Sequence, residues 1–256
     1  LRTAISMLYE GATDESAKEI AHAAVLPESK EARLQGYTML MNMINGASDD
    51  YTLRTANGLW VDKAYPVNVE YTEALTGPYQ AESEAANFAG DAKGWTDKIN
   101  AWVSERTEEK IPSLFPDGAI DATTVLVLAN ALYFKGLWED KFNAEHTQKQ
   151  DFMINGKPTS VDMMRKGEVE DDKKSYFELP EFRHGNFDGV QMAALPYKGF
   201  AMRKVVMLPP KGTSVQSLEA HLKSNSQELM QWFNGMENTP FTRLEIPKHK
   251  VEGDYD

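Results

Sequence analysis

The amino-acid sequence predicts an α+β fold, in which helices and strands share one chain of 256 residues. Three observations lead to this prediction. The segment Ala122–Lys135 alternates like a strand but is apolar on both faces, and Gly94–Lys110 has the pattern of an amphipathic helix. Helical and extended stretches also follow one another without regular βαβ units. A chain of this length forms one large domain or two small ones.

The composition is that of a globular protein. Hydrophobic residues make up 41% and charged residues 26% of the chain, which argues against disorder. The formal charge of −12 disfavours nonspecific binding to nucleic acid or to an anionic membrane. The absence of cysteine excludes disulfides, thiolate nucleophiles and cysteine metal sites. The longest apolar stretch, Val125–Phe134, is far short of the ~20 residues that a membrane helix needs.

The N-terminal part reads as helical. Helices are expected at Leu1–Glu10, after a cap at Thr13 or Asp14, and at Glu28–Ile44, with a short fourth helix at Pro66–Leu75. The opening residues lack the basic and apolar regions of a leader, so we expect no signal peptide there. Both ends look as though an element has been cut.

The strands expected in the first half are Thr52–Asp62, Tyr79–Phe88 and Ala122–Lys135. The last of these has a leucine face (Thr124, Leu126, Leu128, Leu132, Phe134) and an opposite face (Val125, Val127, Ala129, Ala131, Tyr133). A strand that is apolar on both faces is covered on both, so we expect it to lie centrally in a sheet between two layers.

The second half has shorter elements separated by turn signals such as Asn155-Gly156. Strands are expected near Thr159–Met164, Val190–Pro196, Arg203–Leu208 and from Leu244 onward, and helices at Val215–Leu222 and Gln227–Phe233. The charged segment Glu168–Lys174 is expected to be a solvated loop.

Motifs for catalysis are absent from the sequence. The five histidines are scattered and form no metal-binding pair. No phosphate-binding glycine loop, dinucleotide fingerprint or serine nucleophile elbow occurs. We therefore expect a protein that is not an enzyme and holds no cofactor or metal, with a catalytic group assembled from distant residues as the alternative.

A family resemblance appears around the doubly apolar strand. The run Leu128–Glu139 and the helix segment Ile99–Val103, continued by Thr107–Ile111, resemble the most recognisable segments of the serpins. Further pieces that match this family in order along the chain are Ala56–Trp60, Val161–Met164, Leu195–Gly199, Val205–Pro209, Ile246–Lys248 and Asp254–Asp256. The family more often has leucine after the final tyrosine–aspartate pair.

The resemblance implies a serpin fold with three β-sheets and about eight or nine helices. The strands Thr52–Asp62, Tyr79–Phe88 and Ala122–Lys135 would belong to a large mixed sheet covered by the helix Gly94–Lys110. We expect the leucine face of the last strand to supply the flat apolar surface under this helix. Residues 1–256 would form a single serpin domain that lacks the N-terminal helix and the C-terminal part with the reactive-centre loop.

The implied function is inhibition of a serine-type endopeptidase. In this family a protease cleaves an exposed loop and is trapped as an acyl-enzyme when the loop inserts into the large sheet. The mechanism requires a metastable native state and a conformational change, and the inhibitor acts once, by suicide inhibition. The alternative is a non-inhibitory serpin that acts as a carrier, chaperone or storage protein.

The resemblance also assigns roles to single residues, none of them catalytic. Asn130 falls in the region that controls sheet opening, although an amide satisfied by its neighbours is an equal alternative. Trp138 and Lys248 match positions where the inserting loop first enters, with a core tryptophan and a solvated lysine as alternatives. Asn100, together with Trp102, is expected to lock the covering helix to the sheet, with a simple surface asparagine as the alternative.

The expected partner is a serine protease, or alternatively a cysteine protease, and the protein is expected to be a monomer. We expect no binding to nucleic acid, membrane or heparin, because Glu28–Ile44 offers only Lys30 and Arg33 as cations against two glutamates. The family default is an extracellular location, with an intracellular one as the alternative.

Overall fold

A computed structural model describes residues 2–154, 156–167, 182–239 and 243–249. The predictions for Asn155, the Glu168–Lys174 loop and the closing Asp254–Asp256 motif lie outside these residues. The described chain contains seven α-helices, one short 3-10 helix and ten strands in three sheets. The three sheets agree with the resemblance, and the helices reach the lower end of the expected number when the 3-10 helix is counted. The chain divides into two compact units, Leu1–Lys135 and Gly136–Asp256.

The first unit begins with helices and then builds a sheet. Its elements are α1 (Arg2–Tyr9), α2 (Asp14–Ala24), α3 (Lys30–Ile44), β1 (Tyr51–Asp62), α4 (Val69–Thr76), β2 (Ala81–Ala86), α5 (Phe88–Arg106) and β3 (Leu126–Gly136). The hydroxyl of Ser29 caps α3 and the amide oxygen of Asn68 caps α4, because each accepts a backbone N–H of the first turn.

The sheet of the first unit is mixed and has the order β2-β1-β3. Strand β2 runs parallel to β1, and β3 runs antiparallel, since the N–H of Asp62 meets the carbonyl of Val125 while Thr55 meets Ala131. The expectation that β3 is central is wrong for the described residues, where β1 is central and β3 is an edge strand. Apolar residues on both faces report how a strand is covered, and not how many neighbours it pairs with.

Both faces of β3 are covered over its first residues, Leu126–Ala129, but by different elements from those expected, whereas Leu132 further along is 60% exposed. Helix α5 packs on the face with Val127 and Ala129, in one core with Ile99, Trp60 and Ala86 and with the indoles of Trp95 and Trp102. Leu126 and Leu128 of the leucine face pack instead into a core with residues from α1, α3 and α4. The assignment of the leucine face to the covering helix is therefore wrong. The bulky indoles of α5 pack over small strand residues, whereas leucines suit the wider space toward the helical layer.

Helix α5 starts earlier and ends earlier than predicted. Asp62 at the end of β1 accepts the N–H of Phe88 at 2.8 Å and so caps the first turn. Asp91 interrupts the helix with non-helical angles, and its carboxylate accepts the N–H of Gly94, which explains the predicted start. Beyond Arg106 the chain turns, because Glu108 and Glu109 adopt left-handed backbone angles.

The second unit contains two antiparallel sheets. One has the order β10-β5-β4 and the other the order β8-β7-β6-β9. Its elements are β4 (Gln148–Ile154), β5 (Lys157–Gly167), β6 (Phe182–Phe187), β7 (Val190–Pro196), β8 (Arg203–Leu208), α6 (Val215–Ser224), α7 (Ser226–Gly235), β9 (Glu237–Thr239) and β10 (Arg243–Pro247), with a 3-10 helix at Ala144–His146. Helices α6 and α7 cover β7 through Leu218 and Trp232.

None of the helices in the described part of the chain is both long and apolar enough to span a bilayer.

Candidate functional site

The amide of Asn130 joins β3 to the neighbouring strand β1 by its side chain. Its Nδ2 donates to Oδ1 of Asn57 at 2.7 Å and to Oγ1 of Thr55 at 3.2 Å. The hydroxyl of Thr55 in turn donates to the carbonyl of Ala131 at 3.2 Å. These bonds add side-chain links to the backbone pairing of the two strands, at the inner edge of β3.

The network continues away from β3 toward α3 and the loop before β2. Asn57 is 1% exposed, and its Nδ2 donates to the carbonyl of Tyr79 at 2.7 Å. The N–H of Thr55 donates to Oδ1 of Asn45, the C-cap residue of α3, and the Asn45 amide donates to Gln80 at 2.9 Å. We call Asn45, Thr55, Asn57, Gln80 and Asn130 the amide network.

A buried ion pair lies on the far side of Tyr79. The guanidinium of Arg33 donates from Nε and Nη2 to the two oxygens of Glu10 at 3.1 and 3.2 Å, and the two side chains are 5% and 1% exposed. The hydroxyl of Tyr79 donates to the same carboxylate at 3.1 Å. Burial and this carboxylate raise the pKa of Tyr79, so its hydroxyl keeps its proton. Tyr79 thus connects the amide network to an ion pair between Glu10, which follows α1, and Arg33 of α3.

The side chains of the amide network are uncharged groups that form hydrogen bonds with one another and with the backbone. Amides and hydroxyls both donate and accept hydrogen bonds, and they carry no charge near neutral pH. The groups can therefore hold two strands together without a buried charge. No group of three histidine, aspartate or glutamate side chains that could hold a metal ion is found among the described residues.

Helix α5 is attached to the sheet by Trp102. Its indole Nε1 donates to Glu82 of β2 at 3.0 Å, and its ring meets Trp60 of β1 edge to face at 5.0 Å. Asn100 bonds elsewhere: its Nδ2 donates to the carbonyl of Phe115 at 2.8 Å, and its Oδ1 accepts the N–H groups of Leu114 and Phe115. The hydrogen bonds of Asn100 thus hold the loop after α5. Of the two predicted residues Trp102 is the one that bonds to a strand, and Lys98 and Arg106 of the same helix also bond to glutamates of β2.

Trp138 and Lys248 both belong to the second unit. Trp138 stacks on Tyr197 with ring centroids 4.6 Å apart, and it shares a core with Ile246 of β10. Lys248 follows β10 directly; its side chain is exposed and its N–H donates to the carbonyl of Asp162 at 2.7 Å. The core around Trp138 therefore includes the strand that ends beside Lys248.

Most residues of the amide network could not be recognised from the sequence. Asn57 carried a usable signal, because it is a polar residue on the β1 face that also bears Leu59 and Val61. Asn45 and Gln80 lie in connections, where an asparagine or glutamine is ordinary and gives no signal.

Comparisons with known proteins agree on one family. A family model described as "Serpin (serine protease inhibitor)" matches residues 1–256. Serpin B3 of Homo sapiens is 33% identical, in a match that covers all of this chain and 67% of that protein. Ovalbumin from the emu, Dromaius novaehollandiae, has a similar structure, with a TM-score of 0.84, 24% identity, and coverage of 99% of this chain and 66% of the other.

A second ovalbumin structure is described as a loop-inserted form of a mutant cleaved at P1-P1'. It has a TM-score of 0.83 and 27% identity, and the match covers 100% of this chain and 68% of the other. The chain thus spans about two thirds of the length of these relatives. The family model, the sequence relative and the three-sheet fold lead to one conclusion: the chain belongs to the serpin family.

Proposed function

We propose that residues 1–256 form one serpin domain of a protein that inhibits a serine-type endopeptidase. The protease would cleave a reactive-centre loop, and the loop would insert into the β2-β1-β3 sheet and trap the protease covalently. The target is a serine protease, with a cysteine protease as the alternative. The protein acts as a monomer and does not need a cofactor.

The observation that carries this proposal is the position of β3. It pairs with β1 on one edge, and no strand in the described ranges pairs with its other edge. An unpaired edge is a template for an additional strand. The start of β3 already lies between two apolar layers, so an inserted strand beside it would enter a covered environment.

The amide network supports this role from the opposite edge. Asn130 ties β3 to β1, so opening of the sheet would occur along the edge of β3 opposite β1 and leave the pairing of β3 with β1 intact. We propose that Asn130 controls sheet opening in this way. Trp102 would keep α5 on the sheet while Asn100 keeps the following loop on α5, and Trp138 and Lys248 would mark where the loop first enters.

A relative provides a second line of support. The loop-inserted, cleaved ovalbumin has the fold of this chain at 27% identity. A sheet of this architecture therefore accommodates an inserted loop in at least one family member.

Polyanion binding is not part of the proposal. Helix α3 has two cations, and Arg33 is buried against Glu10, so only Lys30 is available at its surface. A single available cation would release few counterions from a bound polyanion.

The test is incubation of the full-length protein with a panel of serine proteases, followed by denaturing electrophoresis. We expect a detergent-stable complex of protease and inhibitor with at least one of them. A cleaved loop without any complex, and without a rise in the thermal unfolding midpoint, would instead support the non-inhibitory alternative of a carrier, chaperone or storage protein. Small residues in the loop hinge permit insertion, whereas proline or bulky charged residues obstruct it.

A further inference from the structure

An aromatic cavity in the second unit contains a buried lysine. The cavity has a volume of about 210 Å³, and its walls include Trp138, Phe142, Phe182 and Phe200. Lys166 of β5 and Asp140 also line it. This volume is smaller than the ~300–1,000 Å³ of cavities for drug-sized ligands, so it suits a molecule with one ring.

The ammonium group of Lys166 is held against the cavity wall. Its side chain is 8% exposed, and Nζ lies 2.6 Å from Oδ2 of Asp140 and also donates to the backbone carbonyl of that residue. The same Nζ lies 4.9 Å from the ring centroid of Phe142. A primary amine, an acid–base partner and aromatic walls therefore meet at one place.

Burial makes this amine more readily deprotonated than an ordinary lysine. Desolvation lowers the pKa of Lys166, although the Asp140 carboxylate opposes the shift. The other titratable side chain among the described residues that line the cavity is Glu139, and its carboxylate accepts the N–H of Gly199 at 2.9 Å. A larger fraction of Lys166 is thus the free amine at neutral pH, and the free amine is the nucleophile.

We propose that Lys166 is a site of reversible imine formation with small aromatic aldehydes. The aromatic walls bind the ring and place the carbonyl carbon near Nζ. Asp140 takes a proton from the ammonium group, and the Nζ lone pair forms a bond to the carbonyl carbon. The carbonyl oxygen gains a second Nζ proton, which gives a carbinolamine.

The second half of the reaction uses the same carboxyl group. The proton held by Asp140 passes to the carbinolamine hydroxyl, which leaves as water while the nitrogen lone pair forms the C=N bond. The product is a protonated imine that remains paired with the Asp140 carboxylate. One ammonium group and one aldehyde give one iminium group and one water, so atoms and charge balance without an oxidant or reductant.

The chain supplies a matched control for this reaction. Lys149 of β4 also pairs with an aspartate, Asp162, at 3.0 Å, but its side chain is 69% exposed. It therefore has an ion pair without burial and without an aromatic cavity. Glyoxylate provides the matched aldehyde, because it has no ring to bind the walls.

The experiment treats the purified protein with limiting benzaldehyde and sodium cyanoborohydride, which reduces each imine to a stable benzylamine. Peptide mass spectrometry then measures occupancy at each lysine. With benzaldehyde we expect Lys166 to be labelled severalfold faster than Lys149. Its labelling should reach half of its maximum at a lower pH than that of an ordinary lysine. With glyoxylate we expect no such preference for Lys166. The variant Phe142→Leu should reduce the rate at Lys166 and leave Lys149 unchanged.

The proposal would be overturned if the labelling rates of the lysines increased with their solvent exposure, so that Lys166 reacted no faster than Lys149. Equal preference for Lys166 with both aldehydes would also overturn it, because the cavity would then make no contribution. The comparison of two lysines in the wild-type protein does not depend on a variant that folds. The result is independent of protease inhibition.

Discussion

Replacement of Asn130 by alanine should weaken the attachment of β3 to β1. The change removes hydrogen bonds of 2.7 Å to Asn57 and 3.2 Å to Thr55. A hydrogen bond contributes ~1 kcal/mol net, and a buried acceptor left without a partner costs ~1–3 kcal/mol. Because the accepting residue Asn57 is 1% exposed, we expect Asn130→Ala to lower the free energy of unfolding by about 2–4 kcal/mol.

Urea unfolding followed by circular dichroism measures this loss, with Lys135→Ala on the exposed part of β3 as the control. The control should stay within about 0.5 kcal/mol of wild type. A double-mutant cycle with Asn57→Ala should give a coupling of about 1–3 kcal/mol, since the two amides bond directly. Additive losses, or an Asn130→Ala effect no larger than that of the control, would refute the assigned contact.

Three further predictions concern the first unit. Glu10→Gln should lower the free energy of unfolding by about 3–5 kcal/mol in urea titrations, because it leaves the buried guanidinium of Arg33 without its counter-charge. Backbone N–H groups, that of Ala64 first, lower the pKa of Asp62 in the folded state. The stability that this carboxylate adds is therefore present above its unfolded pKa of about 3.9, and it is lost as the pH falls from there through the folded pKa. Asp62→Asn should therefore flatten the loss of unfolding free energy between about pH 5 and pH 3. Trp102→Phe should cost about 1 kcal/mol in the same titrations, because the indole N–H bond to the sheet is lost while an aromatic ring, although a smaller one, is kept.

Each of these predictions has a contrary result. A Glu10→Gln variant as stable as wild type would mean that the ion pair does not compensate for its burial. If the loss of stability at low pH is the same in Asp62→Asn as in wild type, the carboxylate does not stabilise the start of α5. If Trp102→Phe is as stable as wild type, Trp102 contributes by packing and not by its hydrogen bond.

The sequence predicted elements well where one pattern determines one element. The predicted bounds Val190–Pro196 and Arg203–Leu208 agree with β7 and β8. Strand β3 begins at Leu126 instead of Ala122, because Asp121 accepts the N–H of Thr123 and forms a turn there. Such local side-chain bonds compete with strand pairing and leave the alternation of residues unchanged.

Tertiary relations were harder to predict than elements. Because both faces of β3 are apolar, the sequence does not indicate which face α5 covers. The small side chain of Ala129 leaves room for the indoles of α5, but this becomes evident only once the position of α5 is known. Likewise, the side chain of Asn130 was recognised by resemblance, but its partner Asn57 lies 73 residues away in sequence. A single sequence has periodicity within elements but no signal that joins two residues so far apart.

The proposed mechanism requires that an additional strand enters at the edge of β3 that lies opposite β1. Hydrogen exchange of the full-length protein, measured before and after cleavage of the reactive-centre loop, tests it directly. We predict slower exchange of the backbone amides in Leu126–Gly136 after cleavage, with little change in Ala81–Ala86 of β2, because only β3 would gain new hydrogen bonds. Unchanged exchange in β3 of the cleaved protein would contradict the account.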